Sequence, residues 1–383
     1  MAQGIRVGII GAGWPGLRHA EGYKEAGGFQ VAAVSDLIPA RRRQLMDAAS
    51  AAREYADAGD LLKDVQIDAV SVCLPNSLHL PIALAALKAG KHVICETPPA
   101  LSASEARKLA SAAAKAGKVL MYGFQRRFGA AEQAAIQAIE KGFVGNPYHV
   151  RASWMRTRGI PSGTGWYSDK SKSGGGAIID MGLQMIDLAW ALLGQPKPVS
   201  AYAIFNQHFR SALPPEVPYD VEDAGFALVR FEGGKSLELA ASWAINQPPR
   251  ENGTKCQVYA EKGAIVVYSP EGPLLYRGFD ARGEARQTPL KTPKTVLYHA
   301  MMRHFKECIV NGTPPRVGPA SGVTLMQIVD AIYKSAENGR SVEIRLPLIP
   351  AQFAALEQPH AATEGEGRIG DAVREGDGHI QPD

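Results

Sequence analysis

The sequence predicts an α/β protein in two parts. The first is a doubly wound parallel sheet; the second is an α+β region built on a large, open, mostly antiparallel sheet. Three observations predict this. Short apolar runs alternate with helix-patterned segments through about residue 125. From Tyr148 onward, period-2 segments separated by turn residues take over. Finally, a chain of 383 residues, 45% of them hydrophobic, is too long for one ordinary core.

The elements follow in order. Ile5–Ile10 is a short apolar run rich in β-branched residues, and it breaks into Gly11-Ala12-Gly13-Trp14-Pro15-Gly16. A second run, Val31–Ser35, ends at Asp36, twenty residues beyond Gly16. Strand, glycine turn, helix and a strand ending in a carboxylate form the layout that binds a dinucleotide. Gly11 permits the tight turn, Gly13 lets backbone approach a pyrophosphate, and Gly16 lets the helix pack on the sheet. Trp14 and Pro15 open the helix, whose N-terminus offers N–H groups and a positive dipole end to phosphates. Asp36 can accept hydrogen bonds from both ribose hydroxyls of NAD, and its charge repels a 2′-phosphate. Arg41, Arg42 and Arg43 could hold such a phosphate, but are read as a solvated helix face. NAD is therefore expected over NADP.

Ile67–Leu74 is a continuous apolar run typical of a central parallel strand, and it ends at Pro75-Asn76. Ser77 opens a helix that Gly90 closes, and His92–Cys95 is the next strand. Ser102-Ala103-Ser104-Glu105 matches a capping box before an alanine-rich helix ending at Gly117, and Val119–Tyr122 is a strand. A helix at 130–141 follows. Alternating segments then lie at 148–156, 198–207, 224–231, 236–245, 255–260, 264–268 and 273–277, with a hairpin signal at Glu232-Gly233-Gly234-Lys235. One helix interrupts them at about 180–193. Two more, at about 296–311 and 319–337, close the second part, and Val342–Arg345 reads as a last strand. The expected division is 1–125, 126–346 and a polar, disordered tail at 347–383.

Composition narrows the function classes. The net charge is +4 with both signs interspersed, and no basic stripe alternates with aromatics, which argues against nucleic acid. No run of eighteen apolar residues suggests a membrane span. Cys73, Cys95, Cys256 and Cys308 form no metal-ligand or C-x-x-C spacing, so no metal is expected. With no room for a secretory h-region before the first strand, a reducing cytoplasm is the expected location.

Four further segments share one pattern. They are Val72–His79, Ala89–Pro98, Gly123–Phe128 and Gly174–Asp187. With the glycine turn they resemble the glucose–fructose oxidoreductase / inositol dehydrogenase / rhizopine-catabolism (Gfo/Idh/MocA) family over roughly residues 5–345. The resemblance implies an N-terminal Rossmann domain and a C-terminal α/β domain whose open sheet pairs subunits into dimers or tetramers. It implies NAD(P)-dependent oxidation or reduction of sugars, inositols and related polyols in a site between the domains. Coenzyme contacts carried over by motif are Gly11, Gly13, Asp36, Leu74, Pro75, Asn76, His79, Glu96 and Gln125. Asp180 and Gln184 carry the substrate side.

Two positions depart from that family pattern. Glu96-Thr97-Pro98 stands where Glu-Lys-Pro is usual, and Gln184 stands at the usual histidine. Hydride removal from an alcohol needs a group to take the hydroxyl proton, and neither Thr97 nor Gln184 titrates usefully. The loop Trp166–Ser173 enters the Asp180 helix and offers Tyr167, Lys170 and Lys172; Lys172 or Tyr167 is the expected relay. A redox-neutral lyase or glycosidase with tightly held NAD, and a non-catalytic NAD-binding regulator, are the alternatives. Asp187 reads as a helix-to-loop hydrogen bond, and Arg126 and Arg127 as junction residues that could also meet an acidic substrate. Glu222-Asp223 reads as an edge or turn pair. Trp166 is either a substrate platform or a subunit contact.

Overall fold

The structure, a computed structural model, describes residues 4–161, 165–292 and 294–345. The expectation for the tail at 347–383 lies outside these residues. Strands β1 (Ile5–Ile10), β2 (Phe29–Ser35), β3 (Arg53–Tyr55), β4 (Ala69–Val72), β5 (His92–Cys95) and β6 (Leu120–Tyr122) form one parallel sheet in the order β3-β2-β1-β4-β5-β6. The order reverses between β1 and β4, which opens a crevice at their carboxyl ends. All four residues of β4 are buried, as a central parallel strand demands. β3 was not expected. Its Arg-Glu-Tyr sequence is short and polar because the strand lies at the sheet edge.

Helices α1 (Trp14–Ala26), α2 (Pro39–Ala49), α3 (Ala58–Lys63), α4 (His79–Lys88) and α5 (Ala103–Ala116) are the crossovers. The start of α5 departs slightly from the expected capping box. Ser102 Oγ accepts from Glu105 N–H at 3.3 Å, but the Glu105 carboxylate takes the Leu101 N–H at 3.0 Å rather than that of Ser102.

After α6 (Ala130–Glu140) the second sheet begins with β7 (Pro147–Met155). It continues with β8 (Pro198–Asn206), β9 (Ala224–Phe231), β10 (Ser236–Ser242), β11 (Gly253–Ala260), β12 (Gly263–Val266), β13 (Leu274–Arg277), β14 (Arg286–Pro289) and β15 (Val342–Glu343). The order is β14-β13-β12-β11-β7-β10-β9-β8-β15. β7 and β10 run parallel and the other neighbours antiparallel. β14, also missed in the sequence, is another short polar edge, Arg-Gln-Thr-Pro. Gly233 and Gly234, both at φ +72°, make the β9–β10 turn that the sequence marks. The helical turn α7 (Lys170–Ser173) and a π turn at Ile178–Gly182 lead into α8 (Leu183–Leu192), which lies on the inner face of this sheet.

The last two helices, α9 (Leu297–Asn311) and α10 (Pro319–Asn338), do more than close the second part. α9 returns to pack along α1, where a Cβ on Gly22 would sit 2.9 Å from Met302 Cγ. Met301, Met302 and Phe305 are fully buried there with Val7, Ile9 and Tyr23. Each such side chain contributes about 1.5–3 kcal/mol by leaving water. α10 packs between α5 and β8, and Val317 O just before it accepts the Tyr122 N–H at 2.9 Å. A parallel sheet must cover both faces, and here α9 and α10 finish that cover. α10, which touches α5 and β6 as well as β8, ties the two sheets together.

Candidate active site

A cavity of about 1120 Å³ runs from the glycine turn to α8. At one end stand Gly11, Ala12, Gly13, Trp14, Pro15, Asp36, Ile38 and Arg41; Leu74, Pro75 and Asn76 follow; at the other end stand Glu96, Thr97, Gln125, Trp154, Arg156, Tyr167, Asp180 and Gln184.

The first end is made by backbone. Gly11 has φ +100°, and a Cβ there would lie 2.1 Å from Cys73 O. A Cβ on Gly16 would lie 2.2 Å from Gly11 O, so only glycine lets α1 start this close to β1. Gly13, by contrast, faces open space, its nearest atom being Pro15 Cδ at 3.7 Å. Gly13 caps α1 with no side-chain hydrogen bond, leaving the helix start available to an anion. Asp36 Oδ2 accepts the Ala12 N–H at 2.8 Å and Oδ1 the Ile38 N–H at 2.8 Å. Each oxygen keeps a lone pair for a ribose hydroxyl. These residues fit NAD. Arg42 is committed to Asp36 O and Glu54, while Arg41 reaches the cavity wall.

His79 was expected among the coenzyme contacts, but the structure does not place it on the cavity wall. Its imidazole is fully buried, with Nδ1 2.7 Å from Pro98 O and Nε2 2.8 Å from Leu74 O. It ties together the two loops that do line the cavity, and burial lowers its pKa. Asn76 similarly spans outward, donating to Ser173 O at 2.7 Å and pinning the Pro75-Asn76 loop to α7.

Glu96 is held by a buried chain that the sequence did not reveal. Tyr23 Oη lies 2.7 Å from Ser71 Oγ, which lies 2.9 Å from His19 Nδ1; His19 Nε2 lies 2.8 Å from Glu96 Oε1. One direction satisfies every atom: Tyr23 donates to Ser71, Ser71 to His19, and His19 Nε2–H to the carboxylate.

At the far end Gln184 ties several strands and loops together through its amide. Its Nε2 donates to Gln125 Oε1 at 3.0 Å, Thr97 Oγ1 at 3.1 Å and Gly123 O at 3.4 Å. Its Oε1 is sealed from solvent and has no partner among the described residues. Asp180 Oδ2 accepts the Trp243 Nε1–H at 2.7 Å. Burial pushes the Asp180 carboxyl above the ordinary range; the Trp243 hydrogen bond and the Arg156 charge pull it back. Tyr167 stacks on Trp166 with ring centroids 3.8 Å apart. Burial, then the charges of Asp180 and Glu96, push its phenol upward, so it remains an O–H donor.

Lys172 is not brought to this cavity. Asp169 caps α7, and the i,i+3 spacing turns Lys172 back onto that cap, 2.8 Å from Asp169 Oδ2 with its own side chain 55% exposed. Lys170 is likewise exposed and paired with Glu337. Asp187 forms a buried two-point pair with Arg127, at 2.8 and 3.0 Å. Arg126 donates to Tyr268 and Thr254.

Glu222 is a correction to the sequence reading. It is no edge residue: its carboxylate is buried and accepts Gly176 N–H and Ile178 N–H at 3.0 Å each and Tyr333 O–H at 2.7 Å. It holds the start of the segment carrying Asp180 and Gln184. Asp223 is buried too, accepting the His208 and Phe209 N–H groups at 2.7 Å each.

Fold and cavity define a two-part dinucleotide-dependent enzyme. The profile of the oxidoreductase family with an NAD-binding Rossmann fold matches residues 5–124, and that of the GFO/IDH/MocA C-terminal domain matches residues 133–266. The chain therefore belongs to the Gfo/Idh/MocA oxidoreductases, and its coenzyme is NAD. It is 32% identical to a D-glucoside 3-dehydrogenase of Escherichia coli (strain K12), spanning 89% of this chain and 97% of that protein. It is 26% identical to a myo-inositol 2-dehydrogenase of Thermotoga maritima, spanning 89% and 98%. In fold it is similar to a levoglucosan dehydrogenase in complex with NADH and levoglucosan, with a TM-score of 0.81, 23% identity, and 90% and 100% of the two chains covered. Among the described residues no helix is long and apolar enough to cross a membrane.

Proposed function

We propose that this enzyme catalyses reversible oxidation of a carbinol carbon of a sugar, polyol or sugar-acid derivative. The observation that carries the reading is one continuous cavity joining the Asp36 and glycine-turn end to the Asp180 and Gln184 end. When bound, NAD supplies the hydride acceptor at its nicotinamide ring. The chain's own residues do the rest. Asp180, desolvated and with a raised pKa, takes the hydroxyl proton in place of the usual lysine or histidine. Thr97, held by the Gln184 amide, orients a hydroxyl, and Tyr167, also on the cavity wall, donates an O–H. The relatives' activities on glucosides and inositols support the substrate class.

The test is reduction of NAD across a panel of sugars, polyols and sugar acids, by the native enzyme and by Asp180→Asn. The variant is expected to lose about 10²–10⁴-fold in kcat with its NAD affinity unchanged. Unchanged turnover, or no turnover by the native enzyme with any of the panel, would overturn the proposal.

The same reading assigns coenzyme binding to residues 1–125, and substrate binding and subunit pairing to 126–346. The outer face of the second sheet supports pairing. Tyr202 lies opposite Leu228, and Ile204 opposite Phe226, all four exposed on adjacent strands. Such a patch on a sheet face fits a second copy of itself. Phe226→Glu is expected to convert a dimer or tetramer to a smaller species in sedimentation; a native monomer would remove the assignment. Four buried free thiols support a reducing, cytoplasmic location.

A further inference from the structure

The arginines withdrawn from solvent mostly hold an oxygen. Arg6 holds Asp68, Arg42 holds Glu54, Arg53 holds Gln66, Arg126 holds Tyr268 and Thr254, and Arg127 holds Asp187. Arg156 differs. It is half-buried and lines the substrate end of the cavity, yet its guanidinium has neither an ion pair nor a hydrogen bond among the described residues. An arginine partly out of water without a hydrogen-bonding acceptor recovers only part of its desolvation cost.

Its position is nonetheless well fixed. Arg156 directly follows β7, where its N–H donates to Ser242 O at 2.8 Å and its carbonyl accepts from Ser242 Oγ at 3.1 Å. The guanidinium lies 5.4 Å from the ring centroid of Trp154, another cavity residue. A Cβ on Gly159 would meet Arg156 Cδ at 2.9 Å, so the following loop crosses tightly over its aliphatic stem. A fixed, unpaired guanidinium over an indole shelf is a ready anion receptor.

Resting on the oxidoreductase reading above, we propose that Arg156 recognises a carboxylate carried by the substrate, so that the enzyme prefers an acidic sugar such as a uronate or aldonate to its neutral counterpart. The guanidinium fork matches a carboxylate with two parallel N–H donors. A phosphate dianion fits less well. Arg156 is a single cation close enough to Asp180 for their charges to interact, and neighbouring Arg126 is already engaged. Asp180 has its own partner in Trp243, which leaves Arg156 free for the ligand.

The experiment uses three matched substrates: a methyl glycoside, its uronic acid form and its 6-phosphate. Each is measured for NAD reduction and, separately, for binding to the NAD-loaded enzyme by calorimetry. The native enzyme is expected to favour the uronate at least tenfold in kcat/KM. Compared on the alkaline plateau of kcat, where Asp180 is ionised with or without the neighbouring charge, Arg156→Met is expected to lose about 10–100-fold on the uronate, the range of a charged hydrogen bond, and less than about threefold on the neutral glycoside. Arg156→Lys should recover part of the loss, which separates lost charge from altered packing. No native preference for the uronate, a preference for the phosphate, or equal loss on acid and neutral substrates in Arg156→Met would overturn the proposal. Turnover of neutral substrates without acid preference would sink this inference alone. Arg156-dependent uronate binding without turnover would sink only the oxidoreductase reading.

Discussion

The two ends of the cavity are built by different means. The coenzyme end is a backbone construction: Gly11, Gly13 and Gly16 lie within six consecutive positions, and steric limits of 2.1–2.2 Å dictate two of them. The substrate end is a side-chain construction. Thr97, Gln125, Trp154, Tyr167, Asp180 and Gln184 come from separate loops, strands and helices. Backbone constraints leave local marks that geometry alone can read; of the side-chain constellation, Thr97, Gln125, Asp180 and Gln184 were named through the family resemblance, Tyr167 from its loop, and Trp154 only once the chain had folded. Side chains at the Asp180 end can therefore vary without disturbing the backbone turn at the other end.

The sharpest way to break this comparison is at Asp180, where the largest effect is expected. If Asp180 takes the proton, oxidation rises with pH as the carboxyl ionises. Burial has raised that pKa, so the acid limb of kcat lies above the ordinary carboxylate value of about 4. Asp180→Asn should abolish the limb along with most of the rate. Its stability should move the other way. A carboxyl with a raised folded-state pKa gives its full stability below its unfolded pKa and loses it as pH rises through the folded value. The melting temperature of Asp180→Asn relative to the native enzyme should therefore rise with pH above about 4. A flat difference in melting temperature would show that Asp180 is not desolvated.

At the other end the test separates fold from binding. Gly11→Ala places a methyl against Cys73 O at positive φ, and a loss of about 3 kcal/mol or more is expected in denaturant unfolding. Gly13→Ala meets no such clash, so its stability should stay within about 0.5 kcal/mol while NAD affinity falls about tenfold. Equal destabilisation by both would mean that the turn is not organised around a phosphate.

What was legible in the sequence follows the same division. The six-position glycine turn, the carboxylate twenty residues on and the buried run at β4 place the first sheet and its crevice. The edge strands β3 and β14 were not legible, because edges are short and polar for the same reason that loops are. Glu222 was hidden because its burial depends on Tyr333, 111 residues away, and on Gly175 and Gly176. A Cβ on Gly175 would lie 1.9 Å from Tyr333 Oη, and one on Gly176 would lie 1.9 Å from Glu222 O. The run Gly174-Gly175-Gly176 is a visible signal that something packs against it, but it does not say what. His19 and Ser71 were missed likewise, since a buried polar chain is a tertiary fact.

The smallest expected effects fall on the loop residues the sequence offers as proton relays. Lys172 is solvent-facing and paired with the cap of its own helical turn, so Lys172→Ala should leave kcat within about twofold and cost no more than about 0.5 kcal/mol, the range of exposed ion pairs. Tyr167 does line the cavity, and its raised pKa keeps it protonated across the working range. Tyr167→Phe should therefore lower kcat/KM by about 2–10-fold, the worth of one neutral hydrogen bond, without moving the acid limb. The comparison between the two variants is the informative measurement. A large loss in Lys172→Ala would mean that the turn at Lys170–Ser173 swings inward when substrate binds and that the proton leaves through the lysine. A shifted acid limb in Tyr167→Phe would mean that Asp180 and Tyr167 titrate as a pair, so that the substrate end works as a dyad rather than through one carboxylate.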